Sequence, residues 1–134
     1  MDRDEIEARL DEQPMASRMR VLIVDDEEDI RRLLREALAD CDSLEASGGE
    51  EALETLQQES PDLVITDIRM PGTDGLTLLA KVKERFPNLP VLGISGMVND
   101  DDIHEYGFDA FMEKPMDLRE LRELVDQTVE KDSV

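Results

Sequence analysis

The chain contains no tryptophan, one tyrosine and three phenylalanines, so aromatics make up only 3% of its 134 residues. Its core must therefore be built mostly from Leu, Ile, Val, Ala and Met. A single cysteine, Cys41, excludes an intrachain disulfide and fits a reducing compartment. No apolar run approaches the roughly 20 residues of a membrane-crossing helix. The opening Met1-Asp2-Arg3-Asp4-Glu5 lacks the apolar segment of a signal peptide. These absences lead us to expect a cytoplasmic protein with no membrane contact. Basic residues are scarce too: 15 against 35 acids, a net charge of −20. Nucleic-acid binding needs clustered Lys and Arg, so such a field argues against it. The acidity fits solubility, or a salty cytoplasm that screens the self-repulsion.

What is present is an alternation. Residues 1–18 read as an acidic N-terminal extension interrupted by Pro14, either disordered or a short helix through Ile6 and Leu10. One domain is expected over 19–131. Val21-Leu22-Ile23-Val24 is a continuous apolar run, as in a strand buried on both faces. Ile30, Leu33, Leu34, Ala37 and Leu38 form a helical stripe over Glu28 to Asp40. A weak strand from Ser43 to Ala46 follows, then a helix marked by Ala52, Leu53 and Leu56 and stopped at Ser60-Pro61. Leu63 to Thr66 is the third strand. Leu76, Leu79, Ala80 and Val82 mark the third helix, and Pro90 to Ile94 the fourth strand. Asn99 to Tyr106 allows a short fourth helix, and Ala110 to Met112 a fifth strand. Asp117 can cap a last helix with Leu118, Leu121, Leu124, Val125 and Val129 inward. Five strand-helix units predict an α/β fold, a doubly wound five-stranded parallel sheet.

Polar residues of a particular kind end these strands. Asp25 and Asp26 follow the first, Asp67 the third, Ser95 the fourth, and Lys114 the fifth. In an open parallel sheet, ligands bind outside the carboxyl ends of the strands, so these side chains are expected at one edge. Adjacent acids just past a buried strand repel and lose solvent, a cost that a hard cation with oxygen ligands removes. Taken alone, Asp25-Asp26 reads equally as a cap for the following helix. Asp67 alone reads more readily as a turn or helix cap, although a carboxylate can be a nucleophile that forms an aspartyl-phosphate. Ser95 alone is a turn residue and Lys114 a surface lysine. Together, a hydroxyl and a compact cation suit phosphate oxygens.

The set Val24-Asp25-Asp26-Glu27, Asp67-Ile68-Arg69-Met70-Pro71-Gly72-Thr73-Asp74-Gly75, Ser95-Gly96 and Lys114-Pro115 resembles the response-regulator receiver domains of two-component signalling. The likeness runs from about Met19 to Glu130. It implies a flavodoxin-like (βα)5 fold with strand order 2-1-3-4-5. Asp67 would accept phosphate from a sensor histidine kinase or a histidine phosphotransfer protein. Mg²⁺ or Mn²⁺ would bind Asp26, Asp67 and the backbone carbonyl of Arg69, with Asp25 acting mainly through water. Lys114 and Ser95 would contact the phosphoryl group. Phe111, at the family's aromatic switch position, would turn inward once Ser95 moves and alter the surface of the fourth helix, fifth strand and fifth helix. A downstream protein target would read that surface. The protein would catalyse only its own phosphorylation and slow autodephosphorylation.

Departures from the family carry expectations of their own. Ser95 replaces the commoner threonine. Arg69 and Met97, each two residues past a site residue, lie where the family tunes dephosphorylation, so an altered phosphoryl lifetime is expected. The stretch from Ser95 to Gly107 is about three residues shorter than usual, nearly one helical turn, which shortens or distorts the fourth helix and favours a monomer or weak dimer. Asp100-Asp101-Asp102 reads as a solvated cap and His104 as a surface histidine. The chain ends soon after its last predicted helix, which suggests a stand-alone receiver acting as a relay or on a protein partner. The alternatives are a Mg²⁺-dependent phosphohydrolase with an aspartyl nucleophile, and a degenerate receiver. Glu27 stands where such a hydrolase would carry its acid/base residue, and the complete Asp, Asp, Asp, Ser, Lys set argues against degeneracy.

Overall fold

A computed structural model describes residues 19–69, 74–95, 107–114 and 117–132. Five parallel strands form one sheet: β1 (Arg20–Val24), β2 (Asp42–Ala46), β3 (Leu63–Asp67), β4 (Val91–Ser95) and β5 (Ala110–Glu113), in the order β2-β1-β3-β4-β5. The four described helices are α1 (Glu28–Ala37), α2 (Gly49–Gln58), α3 (Gly75–Arg85) and α4 (Leu118–Asp132). The doubly wound sheet expected from the alternation is observed, with the strand order that the resemblance implies. The N-terminal extension 1–18, the predicted fourth helix Asn99 to Tyr106, and with it Met97, Asp100 to Asp102 and His104, lie outside the described residues.

Strand alternation divides the core. One face of the sheet turns Leu22, Val24 and Val64 toward Ala52 and Leu56 of α2 and Leu78, Leu79 and Val82 of α3. The other turns Val21, Ile23, Leu63 and Ile65 toward Leu34 of α1, with Leu38 just beyond it, and Leu121 and Val125 of α4. Every residue of β3 and β4 is buried, which is why those runs are mostly apolar up to their polar ends. Each fully buried Leu or Ile contributes about 1.5–3 kcal/mol relative to exposure. Gly93 interrupts the β4 run for a steric reason: a Cβ there would meet the Phe108 ring at 2.9 Å.

The helical stripes differ from expectation at their margins. Leu33 is exposed on α1, while Leu34 and Leu38 are buried. On α3 the buried positions are Leu78, Leu79 and Val82, and Ala80 faces solvent. On α4 Leu118 is exposed in the first turn, and Thr128 is buried with its hydroxyl donating to the Leu124 carbonyl at 2.6 Å. Asp117 caps α4 as expected, its Oδ1 accepting from the backbone N–H of Arg119 at 2.9 Å and of Glu120 at 3.3 Å. Among the described residues no helix is long and apolar enough to cross a membrane.

Candidate functional site

The strand order reverses its winding between β1 and β3, and a ligand crevice opens at such a switch point. The residues at the carboxyl ends of these two neighbours are Asp25, Asp26 and Asp67. Each offers a carboxylate oxygen, and the three oxygens lie within 4.8 Å of one another. Asp25 is 2% exposed and Asp67 7%, while Asp26 faces solvent. Lys114, one residue past β5, places Nζ 3.1 Å from Asp67 Oδ2 and 3.5 Å from Asp25 Oδ2. Ser95 ends β4 at the same edge, buried, and its carbonyl accepts from the Lys114 N–H at 3.0 Å. Phe111 is half-buried on β5, packed against the α2–α3 side of the core, and lines a groove of about 530 Å³ with Met112, Lys114 and Leu124.

The electrostatics follow from this crowding. Burial raises the pKa of Asp25 above the ordinary carboxylate range; the Glu27 N–H and Lys114 oppose the rise, and the charges of Asp67 and Asp26 add to it. Burial alone would lower the pKa of Lys114, but the hydrogen bond to Asp67 and the charges of Asp25 and Asp67 hold it above its usual value. The Lys114 ammonium is thus shared between the Asp25 and Asp67 carboxylates. A donor set made only of carboxylate oxygens, partly buried and crowded within 4.8 Å, fits a hard divalent cation such as Mg²⁺. The simple capping alternative for the acid pair is weaker here. The N-cap of α1 is Glu27, which makes no side-chain capping bond, and among the described residues Asp25 Oδ1 accepts from the Glu27 N–H, at 2.9 Å, ahead of the helix.

Local backbone contacts fix the two acidic turns. The Asp25 N–H donates to the Ala46 carbonyl of β2 at 3.1 Å. The Arg69 N–H donates to Asp67 Oδ1 at 3.2 Å, so the peptide after β3 turns back on the carboxylate. Thr66 Oγ1 donates to the Asp67 carbonyl at 2.9 Å. Gly75 begins α3 so close to this turn that a Cβ would lie 2.3 Å from the Asp67 carbonyl oxygen. Asp74 caps that helix through the Thr77 N–H at 2.8 Å. The supporting roles of Thr66, Gly75 and Arg31, whose guanidinium holds the Asp25 carbonyl at 2.7 Å, have no sequence signal beyond the turn cluster that contains Gly75.

The chain resembles known proteins over most of its length. Residues 21–126 match the family model of the response regulator receiver domain. The chain belongs to that family. It is 38% identical over 116 residues to the DNA-binding transcriptional regulator NtrC of Escherichia coli K12, an overlap of 81% of this chain and 24% of that protein. It is 35% identical to an uncharacterized 14.6 kDa protein of Leptolyngbya boryana, covering 83% of this chain and 90% of that one. The crystal structure of the receiver domain of NtrX from Brucella abortus superposes with a TM-score of 0.77 at 35% identity, over 82% of this chain and 98% of that one. The chain spans about a quarter of the length of the NtrC relatives it matches. Receiver domains of this family generally bind Mg²⁺ and interact with histidine kinases and downstream effectors.

Proposed function

We propose that this receiver is a phosphorylation-dependent switch whose acceptor is Asp67. The observation that carries the reading is the cluster of three carboxylate oxygens within 4.8 Å, with Lys114 3.1 Å from Asp67. A carboxylate oxygen of Asp67 attacks the phosphorus of a kinase's or phosphotransfer protein's phosphohistidine. The P–N bond breaks, and its electron pair returns to the imidazole, which takes up a proton. Asp25, Asp26, Asp67 and the Arg69 carbonyl hold Mg²⁺ or Mn²⁺, which when bound offsets negative charge on the phosphoryl oxygens. Lys114 exchanges its contact with the Asp67 carboxylate for one with a phosphoryl oxygen. Ser95 donates its hydroxyl to another.

The aspartyl-phosphate is a new dianion at the edge of a sheet, and a two-state element biased by it transmits the signal. In this protein that element is Ser95 with Phe111, and the surface it changes is β5 and the start of α4, where a protein partner docks. The chain catalyses only its own phosphorylation and slow autodephosphorylation. The Arg69 side chain, two residues from the acceptor, sets the lifetime of the phosphoryl group; an Arg69→Ala protein that loses phosphate at the wild-type rate would remove this role.

The test is intact mass after incubation with Mg²⁺ and acetyl phosphate. Wild type should gain one phosphoryl group and Asp67→Asn none. An adduct that persists in Asp67→Asn would place the acceptor elsewhere.

A further inference from the structure

The two acids after β1 are held by different means. Asp25 is buried and hydrogen-bonded at its N–H, its carbonyl and its carboxylate. Asp26 faces solvent, so the direction of its carboxylate is set mainly by the backbone beneath it. That backbone includes one rigid unit, the peptide plane joining Asp25 to Asp26. Its carbonyl oxygen accepts from Arg31 Nη1 at 2.7 Å. Arg31 stands in the first turns of α1, largely buried, and its Nε lies 3.3 Å from Glu45 Oε1 of β2. Glu45 is itself paired with Arg35, one turn further along α1. The guanidinium is therefore anchored on two elements while it grips the peptide between the acids.

We propose that Arg31 is a positioning residue for the cation site: by fixing the Asp25–Asp26 peptide plane it aims the Asp26 carboxylate at the oxygens of Asp25 and Asp67. The inference rests on reading the three-carboxylate cluster as a divalent-cation site. Charge and positioning predict opposite signs here. A guanidinium so near a cation repels it, so if charge were its main influence, removing Arg31 would tighten Mg²⁺ binding. If Arg31 positions Asp26, removal weakens binding. Partners that orient a metal's ligands typically change affinity by about 10-fold or more when lost.

The experiment is a Mg²⁺ titration of the ¹⁵N-labelled full chain, followed at the amides of Asp26, Asp67 and Arg69. Observing those amides separates the site from loose binding elsewhere on an acidic surface. Arg31→Met should weaken Mg²⁺ binding about 10-fold with β3 and β4 amide positions unchanged. Arg31→Lys, which keeps a charged donor of similar reach, should recover most of the loss although it restores the repelling charge. Binding by Arg31→Met at wild-type strength or tighter overturns the proposal. If Arg31→Met does not fold, Arg31→Gln decides: it removes the repelling charge and is too short to hold both Glu45 and the Asp25 carbonyl, so weaker Mg²⁺ binding supports positioning and binding at wild-type strength or tighter defeats it. Acetyl phosphate labelling of wild type runs alongside. A wild type that binds Mg²⁺ but is never labelled defeats the phosphoacceptor reading and leaves the Mg²⁺ series to decide on Arg31. A wild type that binds no Mg²⁺ overturns both.

Discussion

The two edges of this sheet treat charge in opposite ways. At the N-terminal edge, where β4 and β5 begin, Lys83 of α3 lies 2.7 Å from Asp109, which also accepts the Val91 N–H at 2.8 Å, while the same ammonium donates to the Leu89 carbonyl at 2.9 Å. At the start of β1, Arg20 pairs with Glu59 at 2.6 Å and lies 3.3 Å from Asp42, both partly in water, and its N–H donates to Asp62. These acids are bonded and solvated. At the C-terminal edge, Asp25 and Asp67 are buried against each other and Asp26, with one lysine among the three. An arrangement that raises the pKa of its own carboxylate does not stabilise the fold. A bound cation would offset its cost, whereas the acids of the other edge find cationic or backbone N–H partners within the chain.

Neutralising the acceptor tests this contrast most severely. Asp67→Asn should lose all phosphoryl labelling, yet unfold later in urea when the metal is chelated. Removing one of three crowded charges relieves repulsion, and relaxing a functional site commonly yields about 0.5–2 kcal/mol. Far-UV circular dichroism follows the melt. A chelated Asp67→Asn protein less stable than wild type would mean that the Lys114–Asp67 contact outweighs the repulsion.

The steric frame of the same edge gives the next largest effect. Gly75→Ala places a methyl 2.3 Å from the Asp67 carbonyl, and the atoms it meets are backbone, which cannot step aside. Overpacking of this kind costs about 1–3 kcal/mol. Because the displaced peptide carries the acceptor, labelling by acetyl phosphate should slow as well. Wild-type labelling kinetics in Gly75→Ala would show that α3 does not fix the Asp67 turn.

At the opposite edge the two observables should separate. Asp109→Ala takes away the partner of the Val91 N–H and of Lys83. A buried donor left without a partner costs about 1–3 kcal/mol, and the partial exposure here points to the lower half of that range. Labelling of the folded protein should be unchanged, since no site residue is touched. A changed labelling rate in Asp109→Ala would show that the two edges are coupled through β4 and β5.

The contrast explains which features could be read from the chain. β3 and β4 were legible because burial on both faces leaves mostly apolar runs, and Asp67 and Ser95 because a polar residue that ends such a run lies at the sheet edge; Lys114, after the half-buried β5, was legible only as one of the set that resembles the family. The helix margins were less so. A 100° step between neighbours lets a stripe shift by one residue at little cost, so Leu33 and Ala80 turned outward and Leu78 inward. Leu118 looks like the first residue of a stripe, but it sits in the opening turn of α4 and is exposed. Supporting contacts were not legible at all. Nothing in the sequence separates Arg31, bonded to a carbonyl beside the site, from Arg32, which is paired with Asp29 on the helix surface. A contact to a main-chain atom leaves no mark on residue types.

The smallest expected effect concerns a pair just before β2. Asp40 accepts from Arg122 of α4 through both carboxylate oxygens, one of these bonds at 2.7 Å. That hydrogen bonding holds the Asp40 carboxyl below its usual range, against a weaker opposing push from burial. A depressed carboxylate stabilises the fold above its unfolded value of about 3.9. The contribution disappears as pH falls through the lower folded value, because the protonated acid no longer pairs with the guanidinium. The pair is largely exposed, so the contribution is at most about 1 kcal/mol and is screened by salt. Asp40→Asn should therefore narrow its stability deficit relative to wild type as pH falls from 6 to below about 4, and the deficit at pH 6 should shrink in high salt. A deficit that stays constant down the acid range would mean that Asp40 acts through packing with Arg122 and Cys41 and not through its charge.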